Sequence, residues 1–355
     1  MSTKISNKRN GNMNHELYVV TGRMSSPGRS KHRDKLNKAT FKRIYSYNTL
    51  GRYRREGRYF IDYIQGNHPE CKTLKDCRQY IREWIEYEST RVLDNGRTQS
   101  AWTMCLKICA IHKIFQIKPG DPDYMPMPKR FRGDILRSRC LTPMDLSFMN
   151  ENHLDIITFA QSTGCRRDIL KRVKGSDYMT IDELKNEMDK YDSKEELSPE
   201  ERSRYILIRE AITYFSDCEH FLFHSRDKGG RSRIAPILGP FEDRAVELIM
   251  NTPKDEKVFK SIPNEADVHS FRNDYSCSVY RRYARRIKDI PYDRVNKGSG
   301  VPYQSDVYIL RKDQYGRKLD RAAMAKVSKA LGHNRIRIAA DNYLYGMEDE
   351  DHEDD

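Results

Sequence analysis

Apolar positions recur along this chain mostly at helical spacing, in two long stretches parted by a break. From 39 to 118, Thr73-Leu74-Lys75-Asp76 forms a capping box, after which Leu74, Cys77, Ile81, Trp84 and Ile85 share one helix face. A further helix follows, with Trp102, Cys105, Leu106, Cys109 and Phe115 as its expected inner side. Lys118-Pro119-Gly120-Asp121-Pro122, then Pro126 and Pro128, end the periodicity, so a linker is expected over 119–140. Residues 1–38 are rich in Ser, Asn, Gly, Lys and Arg with few periodic apolar positions, and read as a flexible basic arm.

The second stretch covers 141–346 and opens with Thr142-Pro143-Met144-Asp145, a cap with proline at the first helical position. A helix through Leu154, Ile157 and Ala160 stops at Gly164. The charged run at 181–204 reads as a solvated helix pair. Phe221-Leu222-Phe223-His224 reads as a strand, Asp227-Lys228-Gly229-Gly230-Arg231 as a turn, and Ile234-Ala235-Pro236-Ile237 as the returning strand. Leu319, Ala323, Met324, Val327 and Leu331 mark an amphipathic helix that Gly332 closes. The expected fold is mainly α with a small antiparallel β-sheet, in two domains.

Composition supports two cores: 355 residues carry 37% apolar content. Without a run of about 18 apolar residues, or an apolar stretch behind Lys4, Lys8 and Arg9, neither a membrane span nor a secretory signal is expected. The protein is therefore expected in the cytoplasm, with its nucleic acid. The eight cysteines contain no C-x-x-C pair, so neither a disulfide framework nor a zinc site is suggested, and Cys105 and Cys109 read as core residues. Charge changes the picture more. Lys and Arg number 65 against 52 Asp and Glu, and seven of those acids fall in an acidic tail over 347–355, leaving the body at about +20. Such a body suits a polyanion, because each cation placed on a phosphate releases counterions. Lys107, Lys113 and Arg97 lie on or beside the second helix, where DNA could meet its outer face; Arg130, Arg132, Arg137 and Arg139 make the linker basic.

Five segments place a cation or a nucleophile where the local pattern changes. They are Thr163-Gly164-Cys165-Arg166-Arg167-Asp168, Lys228 on the hairpin tip, His269-Ser270-Phe271-Arg272, Leu331-Gly332-His333, and Tyr343 ten residues after that histidine. Each is weak by itself: a hairpin lysine is usually only solvated, and H-x-x-R arises often by chance. If the chain from about 336 is helical, Ile336, Ala340 and Tyr343 share its packed face, which favours Tyr343 over Tyr345.

Taken in order, the segments resemble the tyrosine recombinase (phage integrase) family: Arg in T-G-x-R, Lys in K-G-G-R-x-R-x-x-P, then H-x-x-R, L-G-H and a tyrosine nine or ten residues on. The resemblance implies a helical, SAM-like core-binding domain at 39–118 and an α+β catalytic domain at 141–346. It implies that Arg166, Lys228, His269, Arg272 and His333 surround a scissile phosphate that Tyr343 attacks. It further implies site-specific recombination of double-stranded DNA, for integration or excision of a mobile element, by a homotetramer with an accessory directionality factor. The segment near Tyr343 would then pack on a neighbouring protomer. Arg231 and Arg233 at the hairpin, and Arg281 and Arg282 in a longer than usual interval before His333, are expected to contact DNA.

The chemistry agrees. A phosphodiester transition state spreads negative charge over oxygens that guanidinium forks match bidentately. A tyrosine of pKa about 10 is ionised to about one part in a thousand at pH 7, so roughly 4 kcal/mol must come from nearby cations or a base such as His269. Lys228 would protonate the leaving 5′ oxygen, and His333 would hydrogen-bond the phosphate. Since the phosphotyrosine bond conserves the energy of the broken one, neither ATP nor another cofactor is expected, and no G-x-x-x-x-G-K-[ST] is present. The chain departs from the family in two ways. Ile169 stands where an acid is common, so the acidic support of Arg166 is unassigned, and 181–204 and 281–317 read as insertions. A non-catalytic DNA-binding protein, a topoisomerase IB-like nicking and closing enzyme, and a metal-dependent three-carboxylate integrase are the alternatives.

Overall fold

A computed structural model describes residues 7–29, 31–37, 39–131, 153–227, 230–292, 294–295, 298–300, 302–303, 305–310, 314–333, 335–344 and 347. The chain divides into two compact units, Met1–Arg130 and Phe131–Asp355. Thr142-Pro143-Met144-Asp145, Arg132, Arg137, Arg139, Lys228, Tyr345 and the tail from 348 lie outside the described residues.

The first unit is helical: α1 (Asn7–Met24), α2 (Lys31–Leu36), α3 (Tyr47–Asn67), α4 (Leu74–Cys77), α5 (Ile81–Thr90) and α6 (Ala101–Ile114). Ser46, Thr73 and Ser100 cap α3, α4 and α6 by accepting from backbone N–H groups, and at Thr73 the reciprocal box with Asp76 is present. The core gathers Met13, Leu17, Phe60, Ile64, Trp84 and Ile111, with the Phe60 and Trp84 rings edge to face at 5.3 Å.

Four expectations for this unit are corrected. The supposed arm contains α1, whose Met13, Leu17 and Met24 are buried; their spacing of four and seven is a helical stripe that polar neighbours obscured. The inner side of α6 is Met104, Cys105, Ile108 and Ile111, while Trp102 and Leu106 are half-buried; a helix apolar nearly all round does not announce its face. Lys107 and Lys113 also turn inward. Lys107 pairs with Glu56 at 3.1 Å and Glu88 at 3.4 Å, and Lys113 donates to the carbonyls of Thr40 and Phe41. The first part of the supposed linker belongs to this unit too: Met125 is buried, and its N–H donates to His112 Nε2 at 3.2 Å.

The second unit comprises α7 (Leu154–Thr163), α8 (Arg167–Leu170), β1 (Tyr178–Thr180), α9 (Ile181–Asp192), α10 (Pro199–Tyr214), β2 (His220–His224), β3 (Arg233–Pro236), α11 (Glu242–Met250) and α12 (Val268–Tyr283). The short strands β4 (Arg294–Val295), β5 (Pro302–Tyr303), β6 (Val307–Ile309) and β7 (Lys318–Asp320) pair as two ribbons, and α13 (Arg321–Ala330) and α14 (Ile336–Asn342) follow. Helices thus dominate, around an antiparallel sheet of order β1-β2-β3 in which Leu222 faces Ala235 and His224 faces Arg233. Both faces of that sheet are covered. Phe221 packs with Phe215, Tyr275 and Met324, whereas Leu222 packs with Phe159, Leu170 and Phe271, as strand alternation requires. The helix pair read from 181–204 is α9 and α10.

One expectation near the end of this unit is also corrected. Leu344 and Met347 are buried in the unit's own core, and Arg317 donates to both carbonyls, so Met347 belongs to that core rather than to the expected tail. In the long interval before α13, Arg285 bonds Asp320 at 2.8 Å and Arg286 bonds Asp289 at 2.8 Å, ties made within the unit. No helix among the described residues is long and apolar enough to cross a membrane.

Candidate active site

The second unit brings five of the six expected catalytic residues into one neighbourhood, and local backbone explains how. Helix α7 ends at Gly164 in the left-handed conformation (φ 57°), where a Cβ would strike the Tyr275 ring. The reversal buries Cys165 and delivers Arg166 in extended conformation just ahead of α8. Arg167 lies on the wall of the same neighbourhood and donates to the carbonyls of Pro263, at 2.6 Å, Asn264 and Ala266, pinning the loop that leads into α12. Asp267 caps that helix by accepting from the N–H groups of His269 and Ser270, so His269 and Arg272 follow at fixed places on its first turn.

Arg272 is only 1% exposed, and its guanidinium donates to the carbonyls of Gly164 and, at 2.6 Å, Leu331. Both carbonyls lie at helix C-termini, the negative ends of α7 and α13, which suits a buried cation. Its Nε is buried without a hydrogen-bond partner. Burial, then the neighbouring guanidiniums of Arg233 and Arg166, pull Arg272 down to about 10, so it stays charged at neutral pH. Tyr343 follows α14 as its C-cap and is 7% exposed. Its ring lies 5.5 Å from the Arg272 guanidinium and 5.7 Å from the His333 ring, at 29° to the latter.

Arg233, expected at the DNA, is instead buried behind these groups. It donates to Asp227 at 3.1 Å, His224 Nδ1 at 2.9 Å, Gly164 O at 3.3 Å and the Ala330 carbonyl. Gly332 (φ 68°) is needed there because a Cβ would come within 2.8 Å of Arg233 Cδ. Asp227 also pairs with Arg166. Burial alone would raise the Asp227 carboxyl, but Arg233 and Arg166 overcome it and hold the group at about 2. His224 is fully buried; desolvation first, then Arg233, Arg272 and Arg166, keep it neutral with a pKa well below its ordinary value. The cluster therefore holds three guanidiniums against one carboxylate, an excess of two positive charges.

Two cavities open on this excess. One of about 770 Å³ is lined by Arg166, Asp227, Arg231 and His333 with Glu200 and Glu210 on its wall, and one of about 420 Å³ by Arg166, Arg167, Asp168, Asp267, His269 and Arg272. An anion in them would meet Arg166 and His269 or His333, while Tyr343 packs behind them against Arg272 and His333 and is not part of either cavity's lining. Of the other expected DNA contacts, Arg231 and Arg281 are exposed, Arg130 is exposed with its guanidinium 4.7 Å from the Trp102 ring, and Arg282 is tied to Asp217 at 3.1 Å.

The sequence reading missed Asp227, His224 and the inward turn of Arg233. The hairpin register held the signal: a turn at 227–231 sets His224 opposite Arg233. It also missed the outward face of α3, where Arg52, Arg55 and Arg58 are exposed and make no ion pair with any described residue. In comparisons with protein-family models, curated proteins and solved structures, nothing matches this chain.

Proposed function

We propose that the protein is a site-specific DNA recombinase that cleaves and rejoins strands through a phosphotyrosine intermediate on Tyr343. One observation carries this reading: a buried cluster with two positive charges in excess, open to cavities and packed against a tyrosine. Uncompensated buried charge is costly, and a phosphodiester would offset it. In the reaction Arg166 and Arg272 would stabilise the charge developing on the non-bridging oxygens. His269 or His333 would take the phenolic proton, and Lys228, next to Asp227 in sequence, would return one to the leaving 5′ oxygen. The homotetramer, the directionality factor and the mobile-element role follow from the family resemblance and are part of the same proposal.

The burial of Tyr343, and the engagement of both terminal nitrogens of Arg272 by carbonyls, favour a second reading, a DNA-binding protein without chemistry. A trapping experiment separates the two. Wild-type and Tyr343→Phe proteins are incubated with nicked duplex DNA flanking the protein's own coding sequence. A denaturant-resistant adduct in wild type alone is the expected result. No adduct in either, on DNA that is bound, would leave the second reading.

A further inference from the structure

We propose that Asp227 is the positioning residue of this site, setting the Arg166 guanidinium for the phosphate; the inference rests on the reading just given. The acid that follows the first arginine closely in sequence cannot serve, since Asp168 is exposed and Ile169 is buried in the core. Asp227 reaches the same guanidinium from the hairpin. Its backbone is fixed by the turn: its N–H donates to Arg231 O at 2.7 Å, and Gly230 N–H donates to its own carbonyl at 2.8 Å. Its Oδ2 accepts from Arg233 Nε at 3.1 Å and from Arg166 Nη1. Arg233 is anchored by the Gly164 and Ala330 carbonyls and by His224, so the carboxylate rests on a fixed interior post.

This arrangement favours a holder over a gate. A carboxylate that merely occupied the phosphate's place would have to leave when DNA arrived, and leaving would strip buried Arg233 of its carboxylate partner. Arg166, in contrast, is held through one terminal nitrogen and keeps 18% exposure toward both cavities. A tether at one corner of a planar fork fixes its direction and leaves its remaining edge to a phosphate oxygen.

The test uses the full chain as wild type, Asp227→Asn, Arg166→Ala and the double variant, in two assays. The first is the single-turnover rate of adduct formation across DNA concentrations. Asp227→Asn is expected to slow the rate at saturating DNA on the order of 10²-fold, with half-saturation little changed and no further loss on adding it to Arg166→Ala. The second is thermal protection by inorganic phosphate, expected in wild type and lost in both single variants. An unchanged or faster rate in folded Asp227→Asn, multiplying losses in the double variant, or phosphate protection that survives in Asp227→Asn would each overturn the proposal. If wild type forms no adduct yet loses phosphate protection in both variants, the recombinase reading falls and the role of Asp227 stands. Should Asp227→Asn not fold, Asp227→Glu keeps the charge and shifts it by one methylene. It is expected to slow wild type and to leave Arg166→Ala unaffected, and equal slowing in both backgrounds would overturn the proposal.

Discussion

Each unit buries a cluster of charges, and the two are built to opposite rules. In the first, Lys107 sits between Glu56 and Glu88, Arg91 adds a second cation on Glu88 at 3.1 Å, and the positive and negative charges cancel. Lys107 also lies 5.3 Å from the Trp84 ring, walled in by core. In the second, Arg166 and Arg233 share one carboxylate, Arg272 beside them rests on backbone carbonyls, and the group opens onto two cavities. A balanced, enclosed cluster is complete as it stands. An unbalanced one beside open space is poised for an anion.

The largest expected effect comes from breaking the balanced cluster. Lys107→Ala leaves two carboxylates in the core and should destabilise the first unit by roughly 3–5 kcal/mol. Tryptophan fluorescence during urea unfolding reads this unit selectively, since both tryptophans, Trp84 and Trp102, belong to it. A loss below about 1 kcal/mol would show that the triad is solvated and the contrast is false.

Arg166→Ala should do the reverse. It removes one of three like charges, so the stability of the second unit is expected to change little, while adduct formation falls on the order of 10²–10³-fold. Urea unfolding followed by hydrogen exchange in α12 checks stability, and trapping on nicked DNA checks activity. A variant that unfolds without a selective loss of activity would make the second cluster as structural as the first.

Acid should sharpen the comparison. Each unit buries a neutral histidine: burial lowers His112, whereas burial together with three guanidiniums lowers His224 much further. A group whose folded pKa is depressed binds its proton in the unfolded chain first, so its contribution is present above about pH 6.5 and declines below it. The slope reaches about 1.4 kcal/mol per pH unit for one proton and ends at the folded pKa. The His224 decline should therefore run to lower pH than that of His112. Unfolding measured from pH 7 to 5 is expected to flatten more in His224→Gln than in His112→Gln, with equal flattening as the contrary result.

Much of the second unit was legible in the chain. Gly164, Gly332 and the 227–231 turn are punctuation that few other residues can supply, and they fix where Arg166, His333 and the hairpin fall. Inward or outward facing was less legible where residues are long and amphipathic. Lys107 and Arg233 both read as surface cations, and only the carboxylates and carbonyls of distant segments make burial possible for them. Helix α1 escaped notice for the opposite reason, because its apolar stripe is thin and lies among residues that usually mark loops.

The smallest effect on the folded protein, and the finest test of where charge is available, concerns α3. Asn48, Arg52, Arg55, Tyr59 and Asp62 form one outward stripe, flanked by Arg58, and its arginines are exposed where those of the second cluster are occupied. Guanidiniums with Asn on one helix face suit a DNA groove, reaching phosphates or the guanine edge. Arg55→Ala should change stability by no more than about 0.5 kcal/mol. If Arg55 meets a phosphate, the salt dependence of DNA binding should fall by about one contact, and similarly for every sequence. If it reads a base, the loss should be about 1–3 kcal/mol on the preferred site and slight elsewhere. Binding isotherms at several salt concentrations, on specific and unrelated duplexes, distinguish these outcomes. Identical isotherms for wild type and variant would mean that the α3 arginines are simply solvated, leaving the unbalanced cluster of the second unit as the anion site.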